Sequence, residues 1–262
     1  MKEKLKWRVK KVRVRPSLFA CHIKIAPVRK RSQIMMTSLV LIAHDQLAES
    51  GSQQFLIESG HSLAEVEYVD LYDQWKNKGD FDSDQEIARI LSYDQLFLQF
   101  PIYWYQAPFI LKVWLDQVFS QDKLNRRLHQ RLQGHPLGII TVAGSQSDDY
   151  QFYGRQKITL SSMLAPYYAW ANYFDLKTFS PFSIFQYHYL TESERLELMI
   201  DYSLYLNEGK VHDFKARQEY IIKLVNNLKL DLSDVDQWLF DQFLEKLNEQ
   251  KEDLHFFEEM EW

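Results

Sequence analysis

Three short stretches of this chain hold residue types that could do chemistry, each at a junction between elements. The first reads Ala43-His44-Asp45-Gln46-Leu47-Ala48-Glu49-Ser50-Gly51-Ser52-Gln53, an imidazole, two hydroxyls and an amide around a small glycine. The first N–H groups of a helix have no intrahelical partner, so a turn of this composition at a helix start favours an anion. The second, Pro101-Ile102-Tyr103-Trp104-Tyr105-Gln106-Ala107-Pro108, is a stiff aromatic loop that suits a flat ligand. The third runs from Thr141 through Ala143 and Gly144 to Tyr150, Tyr153 and Gly154, small residues followed by aromatic hydroxyls.

Strands and helices must place these turns. Residues 38–43, 64–71, 94–100, 136–142 and 174–179 read as strands, most of them short apolar runs without alternation, as a sheet covered on both faces requires. Residues 51–60, 84–91, 159–172 and 192–206 read as helices, with acids in the first turn of 84–91 complementing the helix dipole. Ile110, Leu111, Trp114, Leu115, Val118 and Phe119 recur at helical spacing and predict one apolar helix face directly after the aromatic loop. Regular alternation of strand and helix predicts an α/β, doubly wound parallel sheet, whose ligands bind outside the carboxyl ends of the strands.

The run Pro101-Ile-Tyr-Trp-Tyr-Gln-Ala-Pro-Phe-Ile-Leu-Lys-Val-Trp-Leu-Asp-Gln-Val-Phe119 resembles, nearly position by position, the flavin-dependent NAD(P)H:quinone oxidoreductases of flavodoxin-like fold. That family includes ancillary flavoproteins of glutathione-gated potassium efflux systems. The resemblance covers about residues 37–206 and implies a five-stranded sheet of order 2-1-3-4-5. It implies FMN, or alternatively FAD, with NAD(P)H as co-substrate and a quinone or similar acceptor served by a ping-pong exchange. His44, Ser50, Ser52 and Gln53 would hold the flavin phosphate, and Pro101, Ile102, Tyr103 and Trp104 would line the ring, with backbone N–H groups facing its polar edge. Thr141, Ala143, Gly144 and Tyr150 would wrap the pyrimidine side. Tyr150 matches the family's catalytic tyrosine better than Tyr153 does. A homodimer is implied, since the family completes its site from a second subunit.

The chain departs from the family at named positions. Gln53 replaces an asparagine, Asp45 a proline or serine, and Val142 and Ala143 a threonine and a glycine. Residues 120–131 are basic and free of glycine where the family carries an aromatic-glycine hairpin over its substrate; they are expected to continue the preceding helix. Arg126, Arg127 and Arg131 there fit a solvated helix face, or alternatively an attraction for an anionic substrate.

Residues 1–34 hold 12 Lys or Arg and one acid, Glu3, within a chain of net charge −5, so the remainder is strongly acidic and disfavours nucleic acid. Residues 1–35 are therefore read as a basic extension outside the fold, with Met35 or Met36 as the expected start of a flavin-binding domain over 36–208. A single cysteine, Cys21, permits no internal disulfide and fits a cytoplasmic location. No apolar run is long enough to span a membrane, and the eight histidines show no metal-ligand spacing. Residues 209–262 read as a helical C-terminal extension. Val211, Phe214, Ile221, Leu224, Val225 and Leu228 form one amphipathic helix, and a capping box at 233–236 opens a second. Beside the enzyme stand two other readings: a flavin-binding regulatory subunit of a transporter or other enzyme, and an electron carrier or flavin-free remnant.

Overall fold

Short runs rich in β-branched, aliphatic and aromatic residues become a parallel sheet in this computed structural model, which describes residues 36–60, 65–120, 126–209 and 214–226, with positions 242 and 245. The strands are β1 (Ser38–Ile42), β2 (Val66–Asp70), β3 (Gln95–Pro101), β4 (Pro136–Ala143), β5 (Lys177–Thr178) and β6 (Phe182–Phe185). They pair in the order β2-β1-β3-β4-β5, with β6 also on β4, all parallel. Ile42 lies beside both Asp70 and Gln99, and Ala143 beside Phe185, so the carboxyl ends of β1, β3, β4 and β6 share one edge.

Both faces are covered. Val40, Ile42, Phe97 and Ile140 point to one side, under α1 (Gly51–Gly60) and α7 (Glu192–Glu208). Leu39, Leu41, Leu98 and Ile139 point to the other, under α2 (Leu71–Lys78), α3 (Ser83–Ile90), α4 (Phe109–Val118), α5 (Arg126–Leu132) and α6 (Leu160–Tyr173). The pleat sends neighbouring residues to opposite cores, which is why the strands read as continuous apolar runs. Each fully buried Leu or Ile contributes about 1.5–3 kcal/mol. Trp114, the largest fully buried side chain, donates from its indole to Glu86 at 3.0 Å.

Polar bonds fasten α7 to the sheet. The Leu206 carbonyl accepts from Ser38 Oγ at 2.8 Å and from Gln95 Nε2, both at the strands' amino ends. Tyr205 donates to the Ser180 carbonyl at 2.7 Å. Thr191 and Glu194 form a reciprocal capping box at the start of α7, and Gly209 ends it in the left-handed region.

Three expectations are corrected. Residues 71–78 form a helix that the hydrophobic pattern hides, because Leu71 alone is buried in it; Asp70 caps its start and left-handed Gly79 its end. The fifth strand, expected over 174–179, shrinks to two residues. The chain resumes as a sixth strand, β6, after Ser180-Pro181, since proline has no N–H for a ladder. Helix α4 does not run on into the basic segment: it ends at Val118, and Phe119 leaves helical geometry. Arg126, Arg127 and Arg131 lie exposed on the separate α5, which feeds the amino end of β4, so they form a solvated face.

Of the extension, α8 (Phe214–Asn226) lies against α7, where Arg217 grips the Asp201 carboxylate with Nε at 2.9 Å and with Nη2. Ile222 on it is buried. Residues 1–35, His61, the 121–125 segment, Val211, Leu228 and the 233–236 capping box lie outside the described residues. No helix of the described residues is long and apolar enough to cross a membrane.

Candidate functional site

Three turns meet at the carboxyl edge, and side chains from different elements lock them together. In the first, His44 follows β1 and is buried. Its Nδ1 accepts the Gln46 N–H at 3.0 Å, so the ring proton of the neutral form sits on Nε2, which faces the Tyr103 hydroxyl at 3.1 Å. Burial lowers the His44 pKa more than nearby Asp45 raises it. Asp45 is 3.5 Å from Nδ1, but that nitrogen is already an acceptor, so we read the pair as a contact with neutral imidazole. Both ring nitrogens are thus engaged within the protein.

The anion-favouring donors lie one turn later. Ser50 Oγ stands 3.4 Å from both Ser52 Oγ and the Gln53 N–H, contacts too long to hold either hydroxyl firmly. The Gln54 N–H returns to the Ser50 carbonyl, which leaves the Gly51 and Ser52 N–H groups at the start of α1 without helical partners. Gln53 is wholly buried: its Oε1 accepts from Gln99 Nε2 at 2.7 Å, while its Nε2 has no partner among the described residues.

The aromatic turn is a tight reversal. Tyr103 and Gln106 exchange both backbone bonds, at 2.9 and 3.0 Å, and Trp104 and Tyr105 between them have φ of 48° and 66°. Two consecutive left-handed residues without a glycine are uncommon and cost energy, so the surroundings must impose them. His44 holds Tyr103, and the Tyr105 hydroxyl donates to Gln156 Oε1 at 3.0 Å. The indole of Trp104 is left 92% exposed, which excludes a core role. The expected backbone donors shift by one: Ile102 N–H is bound to the Val142 carbonyl and Tyr103 N–H to Gln106. Among the described residues, the Trp104 and Tyr105 N–H groups find no acceptor.

The third turn packs against the second. Thr141 is buried, and its hydroxyl bonds Ser183 at 3.1 Å on β6. Ala143 is buried beside Tyr150, whose ring lies on Phe185 with centroids 5.9 Å apart. An added Cβ at Gly144 would meet nothing within 4 Å, so open space lies there. Arg155 closes the loop on Asp149 at 2.8 Å and Ser145 at 2.9 Å. Gly154 is required: a Cβ would come within 2.3 Å of the Asp148 carbonyl. Tyr153, by contrast, is 94% exposed.

The structure therefore brings His44, Ser50, Ser52, Gln53, Pro101, Ile102, Tyr103, Trp104, Ala143, Gly144 and Tyr150 to one edge, and turns the Thr141 hydroxyl away to Ser183. Sequence reading placed Tyr105 in the aromatic turn but missed its partner Gln156, and missed Gln99 and Arg155. The visible signal for Gln99 was an amide set among the apolar residues Leu96, Phe97, Leu98 and Phe100 near the carboxyl end of a buried strand.

Residues 36–202 match the family model described as flavodoxin-like fold, and the chain belongs to that family. An uncharacterized NAD(P)H oxidoreductase of Bacillus subtilis, YrkL, is 27% identical over 170 residues, covering 64% of this chain and 97% of that protein. The ancillary protein KefG of the glutathione-regulated potassium-efflux system of Cronobacter sakazakii is 29% identical over 131 residues, 49% of this chain and 70% of KefG. Among solved structures, an NADPH-quinone reductase from P. pentosaceus superposes with a TM-score of 0.59 at 28% identity, covering 66% of this chain and 99% of that one.

Proposed function

We propose that this protein is a flavin-dependent NAD(P)H oxidoreductase that passes two electrons to a quinone or similar acceptor, working as a homodimer. The observation that carries the reading is the strained, pinned turn at 103–106, which spends backbone energy to hold the indole of Trp104 out of the core. The residues present fit a flavin mononucleotide. Gly51 and Ser52 N–H groups, the two serine hydroxyls and the orphaned Gln53 amide suit its phosphate. The free Trp104 and Tyr105 N–H groups and the open space at Gly144 suit the polar edge of its ring. FAD is the alternative that the same turn admits.

When bound, the flavin supplies a two-electron relay between NAD(P)H and the acceptor in alternating half-reactions. The chain's own residues orient and tune. Trp104 offers an aromatic face, and His44 fixes the height of Tyr103 above the phosphate turn. Tyr150, packed on Phe185, is the proposed catalytic hydroxyl, which would donate a hydrogen bond to developing charge. Relatives named NAD(P)H oxidoreductase and NADPH-quinone reductase support the reading. The test is absorbance between about 350 and 500 nm on freshly purified protein, followed by NAD(P)H oxidation with a quinone or dye. Colourless protein that cannot be reconstituted with FMN or FAD would sink the proposal.

A second reading, a flavin-binding regulatory subunit, is favoured by the KefG relatives and by α8 packed on α7. Deleting residues 209–262 separates the two: unchanged turnover with lost partner capture favours regulation.

A further inference from the structure

A single file of buried hydrogen bonds crosses the core and ends at the phosphate turn. Tyr68 and Tyr202 hydroxyls lie 3.2 Å apart, Tyr202 donates to Gln99 Oε1 at 2.7 Å, and Gln99 Nε2 donates to Gln53 Oε1 at 2.7 Å. Tyr202, Gln99 and Gln53 are each fully buried, and Tyr68 nearly so. From Tyr202 onward each member has its polarity set by the one before it. Tyr202 spends its only proton on Gln99, so the Gln99 carbonyl is the acceptor and its N–H2 must face Gln53. The Gln53 carbonyl is consumed in turn, which leaves its N–H2 as the far end of the file.

That end group has no partner among the described residues, although a buried amide donor without an acceptor costs about 1–3 kcal/mol. It belongs to the first turn of α1, and Gln99 stands beside Ile42, where β1 enters the turn. The orphan donor thus joins the unbonded N–H groups of Gly51 and Ser52. Three uncharged donors in the first turn of one helix suit an anion and nothing that donates.

We infer that Gln99 and Tyr202 are positioning residues that fix the Gln53 amide as a phosphate donor, so that the site prefers a phosphorylated flavin over its dephosphorylated form. This rests on the flavin reading above. Tyr202, on α7, reaches the ligand through Gln99 and Gln53. Its influence is therefore confined to the phosphate.

Fluorescence titrations of full-length wild type, Tyr202→Phe, Gln99→Met and Gln53→Leu with FMN and with riboflavin test it. Tyr202→Phe should weaken FMN about tenfold, the scale of one hydrogen bond to a charged group, and leave riboflavin within about twofold. Gln99→Met should do the same and serves if the first variant folds poorly. Adding Tyr202→Phe to Gln53→Leu should cause no further loss, because the relay acts through that amide. An FMN-to-riboflavin preference in Tyr202→Phe and Gln99→Met equal to wild type overturns the inference and leaves the flavin reading intact. If wild type binds neither flavin, the flavin reading fails, and thermal midpoints with inorganic phosphate decide. Stabilisation of wild type but not of Tyr202→Phe supports the relay for another phosphorylated ligand, and an equal response of the two overturns it.

Discussion

The Tyr103 hydroxyl and His44 Nε2 face each other at 3.1 Å across 59 residues of sequence, and this contact ties the aromatic turn to the end of β1. The two rings meet edge to face, with centroids 6.0 Å apart. Because Gln46 N–H fixes the tautomer from the other side, Tyr103 is held by a neutral imidazole.

That neutrality predicts a pH dependence. Burial holds the His44 pKa below its ordinary 6.5, so the unfolded chain binds the proton more readily than the folded one. The stability it contributes is complete above pH 6.5 and is lost as pH falls through the depressed folded value. His135, also lowered by burial, acts with the same sign. Urea midpoints from about pH 7 down to about pH 5 should fall more steeply for wild type than for His44→Asn. Equal slopes would refute a buried neutral His44.

Trp104 should separate affinity from stability. Trp104→Ala removes an exposed ring and should leave the urea midpoint unchanged while weakening flavin retention about five- to tenfold, the worth of one aromatic contact. Replacing Trp104 by Asn, a residue that accepts positive φ, should raise stability by about 0.5–1 kcal/mol and still weaken the flavin. A destabilised Trp104→Asn variant would show that this position is not strained.

The two glycines of the third turn should respond oppositely. Gly154→Ala drives a Cβ into the Asp148 and Asp149 carbonyls, at 2.3 and 2.5 Å, and backbone cannot yield cheaply. It should cost about 1–3 kcal/mol by urea denaturation and expose residues 145–157 to proteolysis. Gly144→Ala, facing open space, should leave the midpoint within about 0.5 kcal/mol and lower flavin affinity instead.

How far could sequence have reached? β1, α1, β3, α4, β4 and α7 were legible because each is a local signal: an apolar run, a helical period or a capping pair. Helix α2 was hidden because one residue of eight is buried, though Asp70 and Gly79 bracketed it. The split of the fifth strand depends on how Ser180-Pro181 meets β4, which no local pattern states. In the site, residue types were legible but their partners were not. His44 and Tyr103, or Gln53 and Gln99 at 46 residues apart, become neighbours only once the sheet is assembled.

Arg217→Met tests whether α8 belongs to the folded unit. It removes a two-pronged grip on the poorly exposed Asp201 carboxylate and should cost about 1–2 kcal/mol, read as a lower urea midpoint of the single transition. Separate melting of α8 with an unaltered main transition would show an independent appendage.

The direction of α8 has a consequence of its own. α7 descends from the carboxyl edge to the strands' amino ends, where its Leu206 carbonyl is bonded to Ser38, and Arg217 of α8 meets Asp201 and Glu197 as the chain climbs back. The appendage therefore doubles back upward like the handle of a jug, pointing toward the rim where Trp104 stands rather than away from it. Any body grafted onto that handle would be delivered beside the mouth of the vessel, not its base.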